Sequence, residues 1–113
     1  MRNKYLHIKH QNITDYLEEH YPHDLDKILL ADGFEAAFLG VVESFGTVPK
    51  ACYNYDTCIA VLMERPDHLG IQNSAMTREE AEEYLTYNVT QAYVGEHTPA
   101  FIKGLNSWME DLD

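Results

Sequence analysis

Positive charge is what this chain has least of. It carries 8 Lys plus Arg against 19 Asp plus Glu over 113 residues, a formal net charge of −11 with its six histidines neutral. A protein that grips nucleic acid phosphates or an anionic membrane needs clustered Lys and Arg, so both roles are disfavoured and a basic partner is favoured. Long apolar runs are also missing. The longest, Ala36 to Val42 and Cys58 to Met63, fall far short of the roughly 20 residues needed to cross a bilayer. The basic start, Met1 to His10, is followed by no apolar h-region of a secretory signal, so the cytoplasm is the expected compartment. Cysteine is scarce too: Cys52 and Cys58 cannot form a disulfide framework and read as free thiols. No Gly-rich phosphate loop, internal repeat or Gly/Ser linker occurs.

What is present is enough apolar material for one core. With 45% hydrophobic and 12% aromatic residues, a chain of this length fits a single domain over 1–113, burying roughly two thirds of its unfolded surface. The charge is unevenly spread. Arg2, Lys4 and Lys9 lie in the first ten residues, which hold no acid; residues 11–113 carry 5 basic groups against 19 acidic, a formal −14. Residues 1–12 read as a basic arm or short strand through Tyr5, Leu6 and Ile8, and 103–113 as a polar tail containing Trp108.

Between these ends the periodicity reads as helical. A short helix is expected from Thr14, stopping before Pro22, and a second from His23 to Ala31 with Leu25, Ile28 and Leu29 on one face. Phe34, Ala37, Phe38, Val41, Val42 and Phe45 fall at i, i+3, i+4, i+7, i+8 and i+11, the stripe of an amphipathic helix. In that reading Asp32 caps the helix, Gly46 ends it, and Gly40 in mid-helix marks a close approach. Residues 51–55 read as a short strand or extended connector, and Asp56 as the cap of a helix from Thr57 to Arg65, apolar around most of its circumference. After a loop over 67–76, Thr77-Arg78-Glu79-Glu80 is a capping box opening a long helix. Its stripe is Ala81, Tyr84, Leu85, Val89, Ala92 and Tyr93, it ends at Gly95, and Asn88 reads as a buried polar group fixing register. Residues 98–102 read as a possible short strand able to pair with 51–55. The expected fold is mainly α, a compact bundle of four to five helices with at most one short two-stranded β element.

Few constellations carry chemistry. His7 and His10, like His20 and His23, form H-x-x-H pairs, but zinc motifs draw their specificity from Cys ligands or a third ligand at set spacing, so no metal or other cofactor is expected. Glu96 and His97 are adjacent, which supplies no geometry for joint acid/base work, and Cys52 beside Lys50 is a thin case for an activated thiolate. Glu79, Glu80, Glu82 and Glu83 open the long helix, where its dipole favours carboxylates, and with Glu64 and Asp67 they make up the candidate partner-binding surface.

The segments Ala51-Cys52-Tyr53-Asn54-Tyr55-Asp56-Thr57-Cys58-Ile59, Val61-Leu62-Met63-Glu64-Arg65, Glu80-Ala81-Glu82-Glu83-Tyr84-Leu85, Tyr87-Asn88-Val89 and Ala92-Tyr93-Val94-Gly95-Glu96-His97-Thr98-Pro99 resemble a family of small, uncharacterised acidic proteins encoded by tailed phages and prophages. The resemblance spans about residues 32–102. It implies host cytoplasm and a host-takeover or counter-defence role, an anti-CRISPR-like or DNA-mimic inhibitor, and brings no activity, cofactor or catalytic residue with it.

Three readings follow. In the first, a non-enzymatic binding protein uses its carboxylate surface to occlude a basic, nucleic acid-binding surface of a host protein, without touching nucleic acid or membrane. The second is a small-ligand or signalling-nucleotide binder that stacks bases on Tyr53, Tyr55, Tyr87 or Trp108 and gathers Lys50, Arg65, Arg78 or Lys103 at a pocket. A metal-dependent or thiol enzyme is the third. Leu39, Val94, Tyr16 and Tyr87 are left over as either a homodimer face or ordinary surface.

Overall fold

A computed structural model describes residues 9–64, 76–90 and 94–104. Helix α1 spans His10–His20 and buries Ile13 and Leu17, one turn apart on one face. Its first turn is tied by the Lys9 amide donating to Asn12 Oδ1 at 2.8 Å. It stops before Pro22, as the sequence suggests, but it begins four residues earlier than Thr14, so positions 10–12 of the expected arm are helical. Residues 1–8, the rest of the arm, lie outside the described residues, as do 65–75 and the tail from 105 onward.

The expected helix over 23–31 is absent. Residues 22–27 form turns closed by the Lys27 and Ile28 amides, both donating to the Asp24 carbonyl at 2.9 and 3.0 Å. Ile28 still reaches the core.

The core helix read over 34–45 is overturned. A single 3₁₀ turn, Glu35–Ala37, leads into strand β1, Phe38–Val42, which pairs antiparallel with β2, Lys50–Asn54. The pairing shifts register between Phe38 and Gly40, a bulge at Leu39. An extra residue makes inward positions 38 and 41 three apart instead of two, and the 3₁₀ turn spaces Phe34 and Ala37 by three as well. Bulge and turn together imitate a helical stripe. The residues that expose the imitation are Val42, at the surface, and Phe45, which is 105% exposed at the hairpin tip. There the Thr47 amide donates to the Ser44 carbonyl at 3.0 Å, and Gly46 at φ +81° takes the left-handed corner. Gly40 is no close-approach site, since a Cβ there would meet nothing within 4 Å; its φ of +144° at the bulge is what calls for glycine.

Helix α2 spans Tyr55–Glu64 directly after β2. Its cap is Asn54, whose Oδ1 accepts from the Thr57 amide at 3.0 Å; Asp56, the expected cap, lies in the first turn. Tyr55, Cys58, Ile59 and Leu62 make one buried stripe, while Ala60 and Met63 are exposed, so burial is less complete than the apolar circumference suggested. Helix α3, Arg78–Leu85, carries the expected capping box: the Thr77 amide donates to Glu80 Oε1 at 2.9 Å, and the Glu80 amide to Thr77 Oγ1 at 3.1 Å. Ala81 and Leu85 are fully buried.

The long helix is shorter than expected. After Leu85 the chain continues as a π turn over Thr86–Thr90. Asn88 is exposed, correcting its reading as a buried group; its Nδ2 donates at 3.1 Å to the Tyr84 carbonyl, the acceptor its own amide would use in an α-helix. Ala92 and Tyr93 fall outside the described residues.

Strand β3, Ala100–Ile102, pairs with β2 in parallel: Cys52 with Ala100, Tyr53 with Phe101, Asn54 with Ile102. The pairing of 98–102 with 51–55 is therefore present, and its parallel sense follows from the long crossover through α2 and α3. The sheet order is β1-β2-β3. A four-to-five-helix bundle with at most a two-stranded element is thus contradicted: among the described residues, three α-helices pack with a three-stranded mixed sheet. The inner sheet face, Phe38, Val41, Ala51, Tyr53 and Phe101, joins Ile13, Leu17, Ile28, Phe34, Ile59 and Leu85 in one apolar cluster.

Candidate functional site

The carboxylates at the start of α3 divide by what they touch. Glu80 is spent on the capping box. Glu82 accepts from Arg78 Nε at 2.9 Å, and Arg78 Nη2 lies 3.5 Å from Asp56, so a cation sits between these two acids. Glu79 and Glu83, at i and i+4, are exposed and have no ion-pair partner among the described residues. Glu64 is exposed at the end of α2 away from Asp56, about 12 Å along the axis at 1.5 Å per residue. Asp67 lies outside the described residues. The four glutamates of α3 thus contract to two exposed carboxylates one turn apart, without an ion-pair partner among the described residues.

Of the residues expected to stack and hold a nucleotide, Tyr55 has Lys103 over its ring and the Arg78 charge nearby, while Tyr53, Tyr87 and Lys50 lie elsewhere in the fold. Tyr53 is wholly buried, its hydroxyl accepting from the Ala31 amide at 2.8 Å; burial pushes its phenol up to about 12. Tyr55 is buried, with Lys103 Nζ 4.6 Å above its ring. Tyr87 is exposed, and Trp108 and Arg65 lie outside the described residues. Lys50 lines a cleft of about 520 Å³ between the hairpin turn and the segment leading into β3, opposite in charge to Glu96 on its other wall. The hydroxyls there serve the backbone: Thr47 Oγ1 donates to the Ser44 carbonyl and Thr98 Oγ1 to the Gly95 carbonyl. His97 Nδ1 donates to the Pro49 carbonyl at 2.9 Å, which pins this segment to the strand before β2.

Neither thiol is poised as a nucleophile. Cys58 is buried and its thiol pushed up to about 12; Cys52 is also free and raised by burial, despite the neighbouring Lys50. Among the described residues, no three His, Cys, Asp or Glu side chains converge to hold a metal, and no helix is long and apolar enough to cross a membrane. His10, His20 and His23 lie along α1 and the turn after it, with His20 against the Tyr16 ring at 4.7 Å. The leftover residues Leu39, Val94, Tyr16 and Tyr87 are all exposed.

A second cavity was not foreseen from the sequence. Of about 290 Å³, it lies between the 30–34 turn, the end of α3 and the start of β3, walled by Leu30, Phe34, Tyr84, Val89 and Phe101. Its walls come from three separate stretches, and only the fold brings them together. No protein-family model, curated protein or solved structure matches this chain.

Proposed function

We propose that this chain is a non-enzymatic binding protein that offers a carboxylate surface to a basic protein surface, in the manner of an occluding inhibitor. The observation that carries the reading is the pair Glu79 and Glu83: exposed, adjacent on one helical face and without a neutralising cation among the described residues. Helix-dipole stabilisation accounts for carboxylates in the first turn, but Glu83 lies beyond it and gains little from the dipole. The net charge of −11 extends the field and speeds encounter with a basic partner. A phage-encoded, host-directed role against a nucleic acid-binding protein in the host cytoplasm belongs to this same proposal. The nucleotide-binding alternative is disfavoured by the burial of Tyr53 and Tyr55 and by the pairing of Arg78 with Asp56 and Glu82.

The test is affinity capture at low and high salt with the wild-type chain and a Glu79→Gln/Glu83→Gln variant. A basic partner held at about 50 mM salt, released above about 300 mM and depleted by the variant is the expected result. Equal retention by the variant, or the absence of any salt-sensitive partner, would overturn the reading.

A further inference from the structure

We propose that the 290 Å³ cavity beside the end of α3 is a receptor for a guanidinium group. Its aromatic walls are Phe34, Tyr84 and Phe101, and its other polar side chains among the described residues are Asp32 and Asn88. Asn88 donates one Nδ2 hydrogen to the Tyr84 carbonyl, leaving Oδ1 and the second N–H. The side-chain groups that can meet a donor-rich ligand are the Asp32 carboxylate, the Asn88 amide oxygen and the Tyr84 hydroxyl, and the carboxylate supplies the only charge among the described lining residues. None of the described lining residues is cationic. A carboxylate beside aromatic faces selects a flat, donor-rich cation, and it repels phosphate. Guanidinium answers that description better than an ammonium, because it is planar, stacks on rings, is weakly hydrated and can fork onto a carboxylate.

The site is held in shape from behind. Tyr53 stacks on Phe101 with centroids 5.7 Å apart at 27°, and its hydroxyl accepts from Ala31, so one buried side chain fixes both walls. Ala31 opens a tight turn in which the Phe34 amide donates to its carbonyl at 3.1 Å and Gly33 takes φ +93°, presenting Asp32 at the corner. The volume is at the bottom of the roughly 300–1,000 Å³ typical of small-molecule sites, which suits one side chain rather than a nucleotide. Two sources offer this chemistry, an arginine side chain of a protein and a free guanidine compound. The first rests on the acidic-surface reading above; the site itself does not.

The experiment is a ¹⁵N-amide NMR titration of the full chain with N-acetyl-arginine-N-methylamide, its lysine counterpart and free arginine. Saturable shifts at 30–34, 84–89 and 100–101 are expected with the arginine amide, and binding about tenfold weaker with the lysine compound. Asp32→Asn, at an exposed turn, should weaken binding by about tenfold with the native spectrum retained. Glu79→Gln/Glu83→Gln should leave it unchanged, which separates this site from the α3 ridge. Tighter binding of the capped compound than of free arginine points to a protein-borne group, and the reverse to a free one. No saturable shift in these segments by about 20 mM, roughly twenty times a 1 mM Kd, or equal binding of the lysine compound, would overturn the proposal.

Discussion

Replacing Tyr53 with Phe removes one oxygen from the centre of the molecule and leaves nearly everything else in place. The ring keeps its stacked contact with Phe101 and its edge contact with Phe38, both at 5.7 Å, so the loss is confined to the hydrogen bond from the Ala31 amide. An orphaned buried donor costs about 1–3 kcal/mol; Ala31 is half-buried, so the lower half, about 1–2 kcal/mol, is expected. In a domain near 100 residues that lowers Tm by about 4–8 °C. Urea unfolding followed by circular dichroism gives the first measurement, and pH gives an independent one. Burial raises the Tyr53 phenol from 10 to about 12, so the native state favours the neutral form. Its contribution is whole below pH 10 and is lost as pH climbs through 12, about 3 kcal/mol in all. That part of the alkaline fall should vanish in Tyr53→Phe. A variant as stable as the wild type with an unchanged pH profile would refute the placement of this hydroxyl.

Phe45→Ser separates the hairpin from the helix it imitates: at a fully exposed tip the change should stay within about 0.5 kcal/mol by urea unfolding, whereas in a buried stripe it would cost several. Gly40→Ala should destabilise by about 1–2 kcal/mol at φ +144°, where a helix interior would instead gain about 1 kcal/mol; thermal unfolding decides the sign. Leu85→Ala, at a fully buried position, should cost about 2–5 kcal/mol in urea. Cys58, raised by burial from 9.0 to about 12, makes stability fall as pH rises above 9; Cys58→Ala should make that fall shallower in an alkaline titration, with Cys52 still contributing its share.

Where the signal was local, the sequence was legible. The Thr77–Glu80 capping box and the stop before Pro22 emerge from a few adjacent residues and their chemistry, whereas the β2–β3 pairing joins segments nearly fifty residues apart. Residues 34–45 were misread because a bulge and a 3₁₀ turn both produce spacings of three, which a periodicity argument assigns to a helix. Gly40, Gly46 and the Val41-Val42 pair were the available counter-signal. The π turn over Thr86–Thr90 carries no signal of its own in the apolar stripe, which continues through Val89. For the candidate surface, the run of glutamates placed Glu79 and Glu83 among six candidates, and i, i+4 spacing applied to Arg78 would have shown that Glu82 is neutralised. The cavity was invisible because its walls are contributed from positions some 50 and 70 residues apart.

The central claim is that exposed carboxylates on α3 bind a basic partner. Its most direct measurement is the dissociation constant of the captured complex, at two salt concentrations, for the wild type and for Glu79→Lys/Glu83→Lys. Reversing two solvated charges should weaken binding by about a hundredfold or more at low salt and much less at high salt, with thermal stability changed by under about 1 kcal/mol. A dissociation constant within about twofold of the wild type at low salt would contradict the account.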